Sequence, residues 1–150
     1  MRIHILSLLI LCTGLAAALE VGQPAPALGD PTWIKGEAPT LDDGEQWTVV
    51  EFWATWCGPC RTSIPHLTRL QEEYADSLTI VGLSNEDTAT VRPFVENMGA
   101  DMAYAVGADA QQAYQSYMAG ISGIPHAFLV DPTGVVAWHG HPMQMDSILE

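Results

Sequence analysis

The chain has 150 residues, enough for one domain with a sizeable hydrophobic core. It carries 18 acidic residues against 5 basic ones, which gives a formal net charge of −13 at pH 7. Nucleic acids and anionic membrane surfaces are bound through basic faces, so this charge argues against both as partners. The acidic excess indicates a well-solvated surface instead.

The first eighteen residues have the pattern of a cleaved export signal. Arg2 gives a positive start, residues 3–15 are mostly apolar, and residues 16–18 are alanines that suit a cleavage site. The apolar run is too short for a membrane-spanning helix. We therefore predict a signal peptide over residues 1–18 and a domain over residues 19–150. The expected location is the periplasm, without stable membrane insertion after cleavage.

The alternatives are a lipoprotein signal acylated at Cys12, which the bulky Leu11 before that cysteine disfavours, and a membrane anchor kept in the mature chain. Cleavage after the alanines removes Cys12 and leaves Cys57 and Cys60 as the remaining cysteines. A small exported fold that depends on disulfides for stability needs several bridges. A single pair therefore favours a chemical role over a stabilising one.

Beyond the signal, apolar runs typical of strands alternate with helical patterns. Strands are predicted at residues 33–34, 48–54, 78–84, 102–106, 126–130 and 135–139. Helices are predicted after Pro59, over residues 88–98 and 110–118, and in the short C-terminal segment MDSILE. The turn DPTG joins the last two strands as a hairpin. This order predicts an α/β fold, with a central mixed β-sheet flanked by helices on both faces.

The helix after Pro59 is predicted to be amphipathic. Its polar side includes His66, and its apolar stripe consists of Cys60, Ile64, Leu67, Leu70 and Tyr74. The stripe predicts that one side of this helix packs on the sheet.

The segment Trp56-Cys57-Gly58-Pro59-Cys60 lies at the start of this helix. Free N–H groups and the helix dipole stabilise a thiolate at Cys57, whereas Cys60 lies one turn later on the buried side. Thiol–disulfide exchange requires such an attacking thiolate and a nearby resolving thiol. Gly58 permits close approach of a client chain, Pro59 is preorganised for the first helical turn, and Trp56 offers contact area.

A metal site and an inert pair are the alternatives for these two cysteines. A closed zinc site needs four ligands, usually with a second cysteine pair, and the sequence has none. The residues that would have to assist are histidines: His66, His126, His139 and His141. We therefore predict no metal at the pair.

Glu51 interrupts the apolar strand that precedes the cysteines. Burial raises the pKa of a carboxyl group, so a buried Glu51 would titrate near neutrality and accept the proton of Cys60. The alternative is that this strand lies at the sheet edge, with Glu51 facing water or pairing with Lys35.

The stretch ISGIPHAF comes just before the predicted hairpin. A proline at such a position can form a cis peptide in a tight turn. With the predicted sheet order, Ile124 and Pro125 would face the cysteines and offer backbone groups to a client. His126 follows directly. It either favours the thiolate, if protonated, or is a hydrogen-bonded bystander.

Taken together, FWATWCGPC, the helix proline Pro65, the GIP loop and Glu51 resemble the thioredoxin superfamily. Residues 20–150 as a whole resemble its exported TlpA/ResA-like (redoxin, AhpC/TSA) branch. Three features carry this resemblance: the signal before them, the VGQPAP…WIKGE lead-in, and the length of chain between Cys60 and Pro125. The resemblance implies a thioredoxin fold with an extra strand–helix insertion before the cis-proline loop. It also implies a cis Ile124–Pro125 bond and disulfide reduction in an oxidising compartment.

One position departs from that pattern. Thioredoxin has a lysine on the next strand that pairs with the buried acid, whereas the stretch TIVGLSN has Gly82 and no lysine. Glu51 is therefore less well neutralised here, or it uses Lys35.

These features favour an exported thiol–disulfide oxidoreductase that reduces client disulfides, in which Cys57 attacks and Cys60 resolves. The intervening Gly-Pro and the isoleucine before Pro125 favour the reducing end of the potential scale. The expected partners are client proteins with disulfides and a membrane-bound electron donor; we expect no cofactor, and a monomer. The alternatives are a copper-handling or metalloprotein-assembly thiol module and a thiol peroxidase.

Overall fold

The computed structural model describes residues 17–150, which form a six-stranded mixed sheet and four α-helices. The predicted signal peptide and the Cys12 alternative lie almost entirely outside the described residues. Within residues 17–150, no helix is both long and apolar enough to span a bilayer.

The strands are β1 (Thr32–Lys35), β2 (Trp47–Phe52), β3 (Leu78–Leu83), β4 (Ala105–Ala108), β5 (His126–Val130) and β6 (Val136–Gly140). Their spatial order is β1-β4-β3-β2-β5-β6. β2, β3 and β4 run parallel, and the remaining neighbours pair antiparallel. The mixed sheet and the closing hairpin are as the sequence predicted.

The helices are α1 (Gly58–Glu73), α2 (Thr88–Met98), α3 (Gln111–Tyr117) and α4 (Asp146–Leu149). Local signals set the ends of α2. The Asp87 carboxylate accepts a hydrogen bond from Thr90 N at 2.8 Å, and Gly99 ends the helix with φ of +51°. The insertion implied by the resemblance is present, since β4 and α3 come between α2 and the proline loop.

Alternate residues of β2 serve two separate cores, as the period of a strand dictates. Val49 belongs to the core that contains Ile64 of α1, and Val50 and Phe52 belong to the core that contains Tyr117 of α3. Helices therefore cover both faces, and β2 is buried at the centre of the sheet.

Two local predictions are wrong, both because of contacts with α1. A 3₁₀ turn over Gly99–Met102 replaces the predicted start of a strand at residue 102. The Thr68 hydroxyl fixes this turn, since it donates to Asp101 O at 2.8 Å and accepts from Ala103 N at 3.0 Å.

Helical periodicity places His66 on the polar side of α1, but the residue is buried. Its Nε2 lies 3.2 Å from Asp146 Oδ2, and its Nδ1 lies 3.1 Å from Arg69 Nη2. The C-terminal segment thus covers part of the helix face that the periodicity assigned to solvent.

Candidate active site

The two cysteines form a disulfide at the start of α1, with their Cα atoms 5.2 Å apart. Cys57 is the N-cap residue, and its Sγ accepts a hydrogen bond from Cys60 N at 3.2 Å. Cys60 is fully buried, and Cys57 is only 3% exposed. Both sulfurs are therefore largely shielded from solvent in this oxidised state.

The loop before β5 covers Cys57. The Ile124–Pro125 bond is cis, as the resemblance implied, and Ile124 O lies 3.7 Å from Cys57 Sγ. The loop thus brings a backbone carbonyl to the sulfur.

Exposed groups surround the disulfide on its outer side. Trp56 is 72% exposed, and Gly58 and Pro59 open the first turn of α1 to solvent. A groove of about 510 Å³ runs from these residues to the proline loop, and its apolar lining includes Trp56, Tyr114, Met118, Ile121 and Ile124. Of the predicted client-binding residues, Trp56, Gly58, Pro59 and Ile124 line this groove, whereas Pro125 is buried.

Glu51 lies on β2, between β3 and β5, and is fully buried, so the alternative of an edge strand facing water is wrong. Burial raises the pKa of Glu51 to about 8, partly opposed by the nearby Tyr104 and Ser63 hydroxyls. The Ser63 hydroxyl donates its proton to Cys60 O at 3.0 Å. The acid thus lies near a residue that is bonded to the turn carrying Cys60.

The proposed pairing of Glu51 with Lys35 is wrong. Lys35 lies at the end of the edge strand β1, and its Nζ donates to Met102 O, the last residue of the 3₁₀ turn. Burial lowers the pKa of Lys35. The lysine therefore fastens the turn to the sheet edge.

Tyr104, which the sequence reading missed, lies beside the acid. It is 3% exposed, and its Oη is 3.4 Å from Glu51 Oε2. Gly82 makes room for it: a Cβ at this position, directly in register with Glu51, would lie 3.0 Å from Tyr104 Cε2 and 3.3 Å from Glu51 Oε2. A glycine inside an apolar strand often marks such a close approach, and that was the available signal.

His126 is hydrogen-bonded rather than poised to stabilise a thiolate. Its Nε2 lies 3.0 Å from Nδ1 of His139 on the neighbouring strand. Burial lowers the pKa of His126 to about 4, and His139 and His141 add repulsion, so the ring is neutral at pH 7. His141 lies beyond the end of β6, where its Nδ1 accepts from Met143 N, so it shares no strand face with His139. Among residues 17–150, no three His, Cys, Asp or Glu side chains are grouped so that they could hold a metal ion.

Comparison with known proteins identifies the family. The AhpC/TSA family matches residues 21–139. The thioredoxin-like protein YneN of Bacillus subtilis is 30% identical over 123 residues, which span 79% of this chain and 69% of YneN. The thiol-disulfide oxidoreductase ResA of Bacillus thuringiensis is 28% identical over 121 residues, which span 79% of this chain and 68% of ResA.

Among solved structures, the thioredoxin domain of a thiol-disulfide oxidoreductase from Bacteroides vulgatus superposes with a TM-score of 0.70 at 25% identity, covering 89% of this chain and 100% of that domain. The fold, the disulfide at the helix start and these relatives agree. The chain belongs to the AhpC/TSA family and is a TlpA/ResA-like thiol–disulfide oxidoreductase with a thioredoxin fold.

Proposed function

We propose that this chain is exported and reduces disulfides in client proteins through the Cys57/Cys60 couple. The observation that carries the proposal is the disulfide at the N-terminus of α1, with a backbone carbonyl of the cis-proline loop 3.7 Å from Cys57 Sγ. A sulfur at a helix start is stabilised as the thiolate, which is the nucleophile in exchange.

The first step begins from the reduced protein. The Cys57 thiolate, which retains the N–H of Cys60 as a donor, attacks one sulfur of the client disulfide. A Cys57–client bond forms, the client disulfide breaks, and the second client sulfur leaves as a thiolate that takes a proton from solvent. The proposed binding role of Trp56 and the groove is to hold the client segment beside the sulfur.

The second step resolves this mixed disulfide. The Cys60 thiol gives its proton to the Glu51 carboxylate, and its sulfur then attacks Cys57 Sγ, which releases the first client sulfur as a thiolate. Two electrons have then passed to the client, and Cys57–Cys60 is oxidised. A membrane-bound donor must return two electrons before the next cycle.

Binding of the client is proposed to use both sides of the groove. Ile124 and Pro125 supply backbone groups from one side, and Gly58 and Pro59 allow close approach from the other. Because this groove is largely apolar, it suits an extended segment with an apolar residue near its cysteine.

Trapping tests the proposal directly. Cys60→Ser, produced with its native N-terminus, should accumulate covalent adducts on Cys57, because the resolving thiol is gone. The matched Cys57→Ser variant should accumulate none. The measurement is non-reducing electrophoresis of the periplasmic fraction followed by mass spectrometry of the adducts. Adducts absent from both variants, or a protein that stays in the cytoplasm, would contradict the proposal.

A redox titration tests the direction of electron transfer between this chain and its clients. We expect a potential nearer to thioredoxin, about −270 mV, than to the oxidant DsbA, about −120 mV. A value at the oxidising end would reverse the direction. Peroxide consumption that survives Cys60→Ser would favour the peroxidase, and stoichiometric copper bound through Cys57 and His139 would favour the metal-handling module.

A further inference from the structure

We propose that Tyr104 is a positioning residue for this reaction: its buried hydroxyl takes the place of a cation at Glu51 and, through Glu51, sets how readily Cys60 loses its proton. This inference rests on the proposed function. It assigns a role in the chemistry to the segment that leads into β4, outside the cysteine motif and the proline loop.

The contact depends on three adjacent strands. Glu51 of β2 stands in register with Gly82 of β3, and Gly82 stands in register with Val106 of β4. Tyr104 precedes β4, and its ring passes over Gly82 so that the hydroxyl reaches Glu51 Oε2 at 3.4 Å. A side chain at Gly82 would occupy this path, so the glycine and the tyrosine form a matched pair.

The groups around Glu51 offer no cation in place of the phenol. Within residues 17–150, no Lys, Arg or His nitrogen lies within 4.0 Å of its carboxylate. Lys35 on β1 is bound to Met102 O, and Arg61 on α1 is bound to Thr55 O. From α3, Tyr114 has a pKa raised to about 12, by burial first and then by the charges of Glu51 and Glu86.

The other side chains packed around Glu51 add no cation either. Ala127 on β5 stands in register with Glu51, and the Ser63 hydroxyl of α1 lies near its carboxylate. His66, also on α1, is engaged with Arg69 and Asp146. Tyr104 is therefore the buried hydrogen-bond donor that can change the pKa of Glu51.

A phenol acts differently from an ammonium group. A neutral donor stabilises a carboxylate less than a cation does, so Glu51 keeps a pKa near 8 while one of its oxygens is held in place. Burial, followed by the nearby Glu51 charge, raises the pKa of Tyr104 well above its usual value. Tyr104 thus keeps its proton throughout, and the single proton that moves passes from Cys60 Sγ to a Glu51 oxygen.

The test is the pH profile of the resolving step in Tyr104→Phe. An aromatic disulfide whose released thiolates absorb visible light reports both steps: attack by Cys57 releases the first thiolate, and resolution by Cys60 releases the second. Loss of the donor raises the pKa of Glu51, so the second release at neutral pH should slow by about three- to tenfold, and its profile should shift to higher pH. The first release should be unchanged.

Matched variants separate this role from a structural one. Tyr117→Phe removes another buried hydroxyl, one that donates to Pro26 O at 2.6 Å, and should leave the profile in place. In a Glu51→Gln background, Tyr104→Phe should have no further effect on the second release. Gly82→Ala keeps the tyrosine but pushes its ring away, and should shift the profile in the same direction as Tyr104→Phe.

The outcomes distinguish the two proposals. An unshifted profile in Tyr104→Phe, or an equal shift in Tyr117→Phe, overturns the role of Tyr104 while disulfide reduction stands. If Tyr104→Phe does not fold, an unshifted profile in Gly82→Ala overturns it equally. A first release that persists in Cys57→Ser overturns the proposed function itself.

Discussion

The buried polar groups on the two faces of the sheet differ in how well they are hydrogen-bonded. On the face covered by α3, the Tyr117 hydroxyl donates to Pro26 O at 2.6 Å, and His126 is bonded to His139 at 3.0 Å. On the face covered by α1, Glu51 receives one long hydrogen bond from Tyr104, at 3.4 Å. Its Oε1 and the indole Nε1 of Trp53 have no hydrogen-bond partner in the described part of the chain.

This difference in hydrogen bonding indicates that the α3 face has a structural role and that the α1 face carries a reactive group. Buried polar groups in a scaffold are satisfied, because each unsatisfied one costs about 1–3 kcal/mol. A buried acid with few partners keeps a high pKa and can therefore exchange a proton near neutral pH. The α1 face thus carries the acid that can exchange a proton. The α3 face carries polar groups with a structural role and borders the groove.

Glu51→Gln should have the largest effect, because it removes the proton acceptor from the α1 face. We expect the second thiolate release to slow by roughly 10²–10⁴-fold and to lose its pH dependence near pH 8, with the first release unchanged. The matched control is Glu86→Gln, since Glu86 accepts from Thr55 N and Oγ1 at 2.7 Å beside the motif. A comparable loss in both variants would contradict a specific role for Glu51.

Glu51 on the α1 face and His126 on the α3 face should make the free energy of unfolding depend on pH in opposite directions. Glu51 has a folded pKa of about 8 against its usual 4.5, so the stability it contributes is present below 4.5 and is lost as pH rises through 8. His126 has a folded pKa of about 4 against 6.5, so its contribution is present above 6.5 and is lost as pH falls through 4. The two slopes oppose each other between about pH 4.5 and 6.5.

Single substitutions should reveal each pH dependence in urea unfolding measured between about pH 4 and 9. In Glu51→Gln, stability should rise with pH up to about 6.5, and the decline toward pH 8, on the order of a few kcal/mol in the wild type, should vanish. In His126→Gln, stability should fall steadily from about pH 4.5. Because His126 is half-exposed, its effect should be the smaller one. Identical pH curves for the wild type and Glu51→Gln would contradict the raised pKa.

The sequence predicted what local chemistry determines. The disulfide lies within one helical turn, and the ends of α2 lie at Asp87 and Gly99. Each of these features is set by a few adjacent residues, and each is present in the structure. The cis bond in the Gly-Ile-Pro segment, which the family resemblance implied, is present as well.

The partner of Glu51 could not be predicted in the same way. It depends on the register of β2, β3 and β4, which brings Gly82 and then Tyr104 to the acid, far apart in the chain. The same reason applies to Lys35, whose partner lies on the 3₁₀ turn, and to His66, which the C-terminal segment buries. Helical periodicity in one segment cannot predict that a segment distant in the chain will pack against the polar side of the helix.

Tyr117→Phe should have the smallest effect, because it changes the α3 face and leaves Glu51 and its contacts in place. The ring packs with Phe52 and Phe128 at centroid distances of 5.5 and 5.1 Å, and phenylalanine preserves those contacts. The loss is the hydrogen bond to Pro26 O, so we expect a destabilisation of about 1–2 kcal/mol that is constant between about pH 5 and 9. Urea unfolding measures this, and both thiolate releases should keep their rates. A destabilisation that varies with pH in step with the titration of Glu51 would contradict this assignment of the two faces, because the Tyr117 hydroxyl bonds to Pro26 O and not to the acid.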